Sequence, residues 1–240
     1  MVEGKNEAAK AAILTIIIVT SGLLAFSFET TQVEAKTIRI ACVGDSITER
    51  SGYPAALQQM LGENYTVENF GVAGSTVSRD SKIPYMAQDA FKRALNFHPD
   101  IVVIMLGTND ANPEITYNES CFEADYTQLI NSFVTLEGEQ YIIIVKSPPI
   151  VSIKSPYNGT YLSSTVLSHV DNVANSLALP KVDVYDAFQN NPDYFYGDGY
   201  GDGVHPNHEG TAIICSSIYD AITLSDGSPD YDYLVDGISG

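Results

Sequence analysis

Ser46 stands beside Asp45 at the end of an apolar run, and Asp202 and His205 lie three residues apart near the other end of the chain. A serine hydroxyl is a weak nucleophile until a base takes its proton. An imidazole can be that base, and a carboxylate three residues upstream can fold back onto it, fix its tautomer and balance the imidazolium charge. Acyl transfer through such a serine forms a tetrahedral oxyanion, which needs hydrogen-bond donors aimed at it beforehand. Three donors are available on paper: the backbone N–H of Ser46, that of Gly74, where the missing Cβ permits close approach, and the side-chain amide of Asn109. The expected chemistry is nucleophilic acyl transfer, with Ser46, Asp202 and His205 as catalytic residues and Ser46, Gly74 and Asn109 as the oxyanion hole.

Each of these residues also has a plainer reading. Ser46 could cap the first helix, since Asp and Ser favour that position. Asn109 could simply form a turn with Asp110. His208 competes with His205, although its place in the first turn of the last helix suits a surface residue better. His98 is expected in a loop and His169 on a solvated helix face. Asp110 is expected to be structural, and Gly71 to be required by a turn. Asp198 is a second candidate acid, and "SPPIVSI" is either a pocket wall or a rigid loop.

Short apolar runs at 37–43, 65–70, 100–107, 141–147 and, more weakly, 181–186 predict five strands. Runs apolar on both faces belong to parallel strands covered by helices on either side. Helices are expected over 52–62, 84–97, 121–136, 160–178 and 207–223. The first should bury Tyr53, Ala56, Leu57, Met60 and Leu61, and the last Thr211, Ile214, Cys215, Ile218 and Ile222. This alternation predicts a three-layer α/β/α sandwich. Ligands bind at the carboxyl ends of such strands, and the loops holding Ser46, Gly74 and Asn109 each follow one.

"GDSIT", the second Gly of "NFGVAGST", "GTND" and "DGVHPN" resemble, in order, the four blocks of the SGNH hydrolase superfamily, the GDSL esterases and lipases. The resemblance runs from residue 38 to about 220. It implies Ser46, Gly74, Asn109 and His205 as the defining residues, with Asp202 preferred to Asp198 because its spacing to His205 matches the family block. It further implies a flavodoxin-like five-stranded parallel sheet, and ester hydrolysis without metal or cofactor. Among the members, the look is closest to carbohydrate O-acetylesterases. Arg50 stands where many relatives have Gly, which would put a cation at the mouth of the site.

Composition narrows the partners. Thirty Asp and Glu against twelve Lys and Arg give a net charge of −18, which repels phosphate backbones and argues against nucleic acid. Lys5 and Lys10 precede an uncharged apolar run at 11–28, and "VEA" ends at Ala35. This reads as a secretory signal, with an uncleaved membrane anchor as its rival. The expected layout is thus a signal or anchor at 1–35, an SGNH hydrolase domain at 36–224 and an acidic flexible tail at 225–240. The protein is expected outside the cell, secreted or anchored to the outer face of a membrane.

Cys42 and Cys215 are expected in the core, and no disulfide is expected. Asn64, Asn118 and Asn158 carry glycosylation sequons. The leading expectation is an esterase acting on short-chain or acetyl esters of carbohydrates. A lipase or lysophospholipase and a non-catalytic carbohydrate-binding protein remain the alternatives. There is no G-x-S-x-G elbow, P-loop or HExxH.

Overall fold

The computed structural model describes residues 37–112, 119–136, 138, 140–151, 157–189, 191–195 and 202–223. The expected signal or anchor, the acidic tail, the Asn118 sequon and Asp198 lie outside the described residues.

Five parallel strands form one sheet: β1 Ile38–Gly44, β2 Tyr65–Gly71, β3 Ile101–Met105, β4 Tyr141–Lys146 and β5 Lys181–Asp183. Their spatial order is β2-β1-β3-β4-β5, the flavodoxin-like arrangement. The helices are α1 Ser46–Arg50, α2 Tyr53–Leu61, α3 Asp89–Asn96, α4 Glu119–Val134, α5 Gly159–Tyr161, α6 Leu167–Ser176, α7 Val184–Phe188 and α8 His208–Ile222. A π-helical stretch at Leu162–Val166 joins α5 to α6.

The period-two alternation of the strands divides the core into two layers. Ala41, Val43, Val102, Ile104, Ile142 and Ile144 point to one face and pack with Phe91 of α3, Phe122 and Phe133 of α4 and Val170 of α6. Ile40, Cys42, Val103, Met105 and Ile143 point to the other, against Tyr53 and Leu57 of α2 and Ile214 and Ile218 of α8. Each of the Val, Ile, Leu, Met and Phe side chains among them contributes about 1.5–3 kcal/mol by leaving water. Cys42 and Cys215 are buried thiols in the second layer, as expected. The α8 stripe is buried throughout, whereas Met60 of α2 is 46% exposed, its Sδ lying 3.3 Å from the Cys215 Sγ.

Several element boundaries differ from the sequence reading, for local reasons. The fifth strand stops at Asp183, because the Asp183 carboxylate accepts from the Asp186 N–H and caps α7. The helix expected from residue 84 begins as a single 3-10 turn at Tyr85–Ala87, and extended backbone at Gln88 separates it from α3. After β3 the chain makes a 3-10 turn at Asn109–Ala111, in keeping with the turn considered for Asn109 and Asp110.

Gly71 is needed for a reason other than a turn. It ends β2 where α1 crosses it, and a Cβ there would lie 2.3 Å from the Glu49 backbone nitrogen. Gly71→Ala should therefore destabilise the domain by about 1–3 kcal/mol through overpacking against backbone. The expected result is a lower urea midpoint with an unchanged denaturant slope.

Candidate active site

Strands β1 and β3 are neighbours, so the loops leaving their carboxyl ends rise side by side. Asp45 ends β1's run and caps α1, its Oδ1 accepting from the Ile47 N–H at 2.9 Å. The capping role considered for Ser46 thus falls to Asp45, and Ser46 becomes the first residue of the helix. Its N–H lies in a first turn, where a helix supplies no acceptor of its own. Ser46 is only 9% exposed.

His205 arrives from the loop before α8. Asn207 fixes that loop: its Oδ1 accepts from the Gly210 N–H and its Nδ2 donates to the carbonyls of Asp193 and Phe195. Ser46 and His205 are 159 residues apart in sequence, yet the Ser46 Oγ lies 2.8 Å from the His205 Nε2. On the other side of the ring, Nδ1 bonds the Asp202 Oδ2. An ionised carboxylate can only accept, which puts the proton on Nδ1 and leaves Nε2 free to accept from the serine hydroxyl. The other Asp202 oxygen accepts from the N–H groups of Val204 and His205, both at 2.9 Å. Burial pushes the Asp202 carboxyl up, but these bonds and the electrostatic pull of His205 outweigh it, and the group sits below its ordinary value. This arrangement can hold a serine ready to lose its proton to a fixed imidazole.

The other loops bind to one another. Gly74 adopts the left-handed conformation, with φ 76°, which favours glycine. The Asn109 Nδ2 donates to the carbonyl of Ser75 at 2.9 Å, so the Asn109 amide is held at the Gly74 turn. Asp110 grips the next stretch, its carboxylate accepting from the N–H groups of Val77 and Ser78 and from the Ser78 hydroxyl at 2.7–3.0 Å. Asp110 is structural, as expected, and its job is to clamp this loop. The Val72 N–H and the Ser75 hydroxyl both donate to the Gly44 carbonyl, tying the loop to the end of β1.

Other residues singled out in the sequence fall elsewhere. His208 is exposed at the start of α8, and His98 is an exposed turn residue with φ 49°. His169 is not simply solvated: its Nδ1 lies 2.7 Å from the Glu123 Oε1, and its side chain is 20% exposed. Arg50 is no isolated cation, since its Nε donates to the adjacent Glu49 at 3.0 Å. Within "SPPIVSI" the Val151 N–H donates to the Gly203 carbonyl at 2.9 Å, bracing the loop that carries Asp202 and His205. A cavity of about 520 Å³ lies apart from this cluster, lined by Arg79, Pro84, Met86, Cys121 and Asp125 among others. Among the described residues no cluster could hold a metal ion, and no helix is long and apolar enough to cross a membrane.

The GDSL-like lipase/acylhydrolase family profile matches residues 42–213. The chain belongs to this family. A curated acetylxylan esterase from Xylanibacter ruminicola is 33% identical to it, over 77% of this chain and 43% of the relative. The chain therefore spans less than half the length of that relative. Among solved structures, a carbohydrate acetylesterase family member from Sinorhizobium meliloti superposes with a TM-score of 0.61 at 21% identity, covering 78% of this chain and 97% of the other. A lipase/acylhydrolase from Enterococcus faecalis gives 0.62 at 24% identity, covering 78% and 95%. These likenesses share the α/β fold described above.

Two features of the site escaped sequence reasoning: the contact of Tyr157 with Asn109 and the burial of Asp45. Tyr157 donates to the Asn109 Oδ1 at 3.0 Å; it is more than forty residues away, with no pattern to mark it. Asp45 was read as part of a motif rather than as a buried acid. Its Oδ2 and the Thr108 hydroxyl are both buried without a hydrogen bond of normal geometry. Burial pushes the Asp45 carboxyl up to about 6, against the lowering influence of the Ile47 N–H, the Thr108 hydroxyl and His205.

A carboxyl raised on folding stabilises the fold fully below its unfolded value near 3.8, and that stability is lost as pH rises through about 6. Asp45→Asn keeps the capping oxygen, removes the buried charge and supplies an N–H on the side of the orphaned oxygen. The variant should be more stable than the parent at pH 7 by about 2–3 kcal/mol. The advantage should vanish below about pH 4, as read by urea denaturation at the two pH values.

Proposed function

We propose that this chain is a serine esterase that removes short acyl groups, acetyl above all, from carbohydrates. The observation that carries the reading is the 2.8 Å contact between the Ser46 Oγ and the His205 Nε2, with Asp202 on the far side of the same ring. In the proposed cycle, His205 takes the Ser46 proton as Oγ attacks the ester carbonyl carbon. The carbonyl oxygen becomes an oxyanion facing the Ser46 and Gly74 N–H groups and the Asn109 amide. As the tetrahedral intermediate collapses, His205 hands its proton to the leaving sugar hydroxyl oxygen, and an acyl-enzyme remains on Ser46. Water then gives a proton to His205 and attacks the acyl carbon. The second intermediate expels the carboxylic acid, and Ser46 regains its proton. Asp202 keeps the imidazole in the required tautomer at each stage and stabilises its charged form.

Support for an acetylated sugar as substrate comes from the acetylxylan esterase relative and from the carbohydrate acetylesterase among the structural neighbours. An aligned serine, imidazole and carboxylate favour turnover over mere sugar binding. We also propose that the enzyme works outside the cell, the support being Lys5 and Lys10 ahead of the uncharged apolar run at 11–28.

Ser46→Ala should lower turnover of p-nitrophenyl acetate by about a thousandfold or more, and a fluorophosphonate should label the parent at Ser46 and leave the variant unlabelled. A variant as active as the parent would overturn the mechanism. Acetate release from acetylated xylan should exceed hydrolysis of octanoyl esters. The reverse preference would remove the carbohydrate acetylesterase reading while leaving the hydrolase in place.

A further inference from the structure

The Asn109 amide can serve an oxyanion in one orientation only. The Ser75 carbonyl on one side can accept but not donate, so the 2.9 Å contact there must be made by Nδ2. An amide nitrogen carries two hydrogens, and the second remains for a ligand. Oδ1 then points the other way, where the Tyr157 hydroxyl meets it at 3.0 Å and donates. Asn109 is 2% exposed, so water has little access to take over either contact.

Tyr157 is itself held in place by backbone. The Asn158 N–H donates to the Ala111 carbonyl at 3.1 Å, which pins this segment to the same 3-10 turn that begins at Asn109. The Asn158 side chain accepts from the Tyr161 N–H and caps α5. Gly159 packs so tightly that a Cβ would lie 2.3 Å from the Ile150 carbonyl oxygen. Burial, with Asp45 and Asp202 nearby, pushes the tyrosine hydroxyl above its ordinary value, so it stays a donor at any pH where the enzyme would work.

We infer that Tyr157 is a positioning residue for the oxyanion hole: its O–H, with the Ser75 carbonyl opposite, locks the Asn109 amide so that the remaining Nδ2–H faces the reacting carbonyl oxygen. This rests on the esterase reading above. Accepting a hydrogen bond at Oδ1 also polarises the amide and makes that N–H a stronger donor. Without the hydroxyl, Oδ1 is left buried and unpaired, and the Ser75 carbonyl alone is left to hold the orientation of the amide. Either change weakens the donor where negative charge develops in the transition state.

The test is a double-mutant cycle on p-nitrophenyl acetate with Tyr157→Phe, Asn109→Ala and both together, measured well below the melting temperature of every variant. Tyr157→Phe removes one oxygen and keeps the ring. It should lower kcat by about tenfold to thirtyfold, with KM within about twofold, since the lost interaction acts in the transition state. Asn109→Ala should lower kcat by about a hundredfold, and adding Tyr157→Phe to it should cause no further loss. A purely structural tyrosine would give losses that multiply, and that result would overturn the inference, as would a Tyr157→Phe enzyme with the parent's kcat. Ser46→Ala is run alongside. If that variant stays active, the esterase mechanism itself is wrong; if it is dead and Tyr157→Phe is unimpaired, only the role given to Tyr157 fails.

Discussion

All five strands run in one direction, and the order β2-β1-β3-β4-β5 sets β1 beside β3 at the centre of the sheet. The connections on the two sides of that junction leave in opposite directions, which opens a crevice above the carboxyl ends of the central pair. Ser46, His205 and Asn109 are gathered at that opening. The serine leaves β1, the asparagine leaves β3, and the imidazole arrives from a loop over 150 residues later in the sequence. Without parallel strands these segments would leave the sheet from opposite edges, and no side-chain choice could bring them together.

The loops around the crevice are short of regular structure but rich in mutual bonds. The end of β1 holds the Gly74 loop through its Gly44 carbonyl, and Asn109 and Asp110 hold the same loop from the β3 side. The segment after β4 reaches the β3 loop through Asn158 and the histidine loop through Val151. Such cross-bracing keeps donors fixed before any substrate arrives, which is the condition for electrostatic stabilisation of an oxyanion to be large. It also accounts for the buried charge of Asp110: three donors converge on its carboxylate, yet burial still pushes it up to about 6.

What could be read from the residues followed the range of the interactions concerned. The strands announce themselves because parallel strands buried on two faces are continuously apolar, and α8 does so through its single stripe of buried residues. The pairing of Asp202 with His205 was legible because it is local. The meeting of Ser46 with His205 was reached from the chemistry of the two residue types and the order of the four motifs, since nothing in either neighbourhood encodes a contact across the domain. Tyr157 left no trace, because a hydroxyl that aligns someone else's amide needs no particular sequence around it. The single 3-10 turn at Tyr85–Ala87 and the early end of β5 were missed because one residue decides each: Gln88 in an extended conformation, and Asp183 capping a helix. Gly71 was placed correctly but for the wrong cause, as close approach of a neighbouring helix is invisible until the chain is folded.

The carboxylate and the imidazole share one four-residue loop, and the carboxylate also grips that loop's own backbone at Val204 and His205. Carboxylate and imidazole are consequently built as one preassembled unit, so only the joint to the serine depends on how the rest of the domain packs.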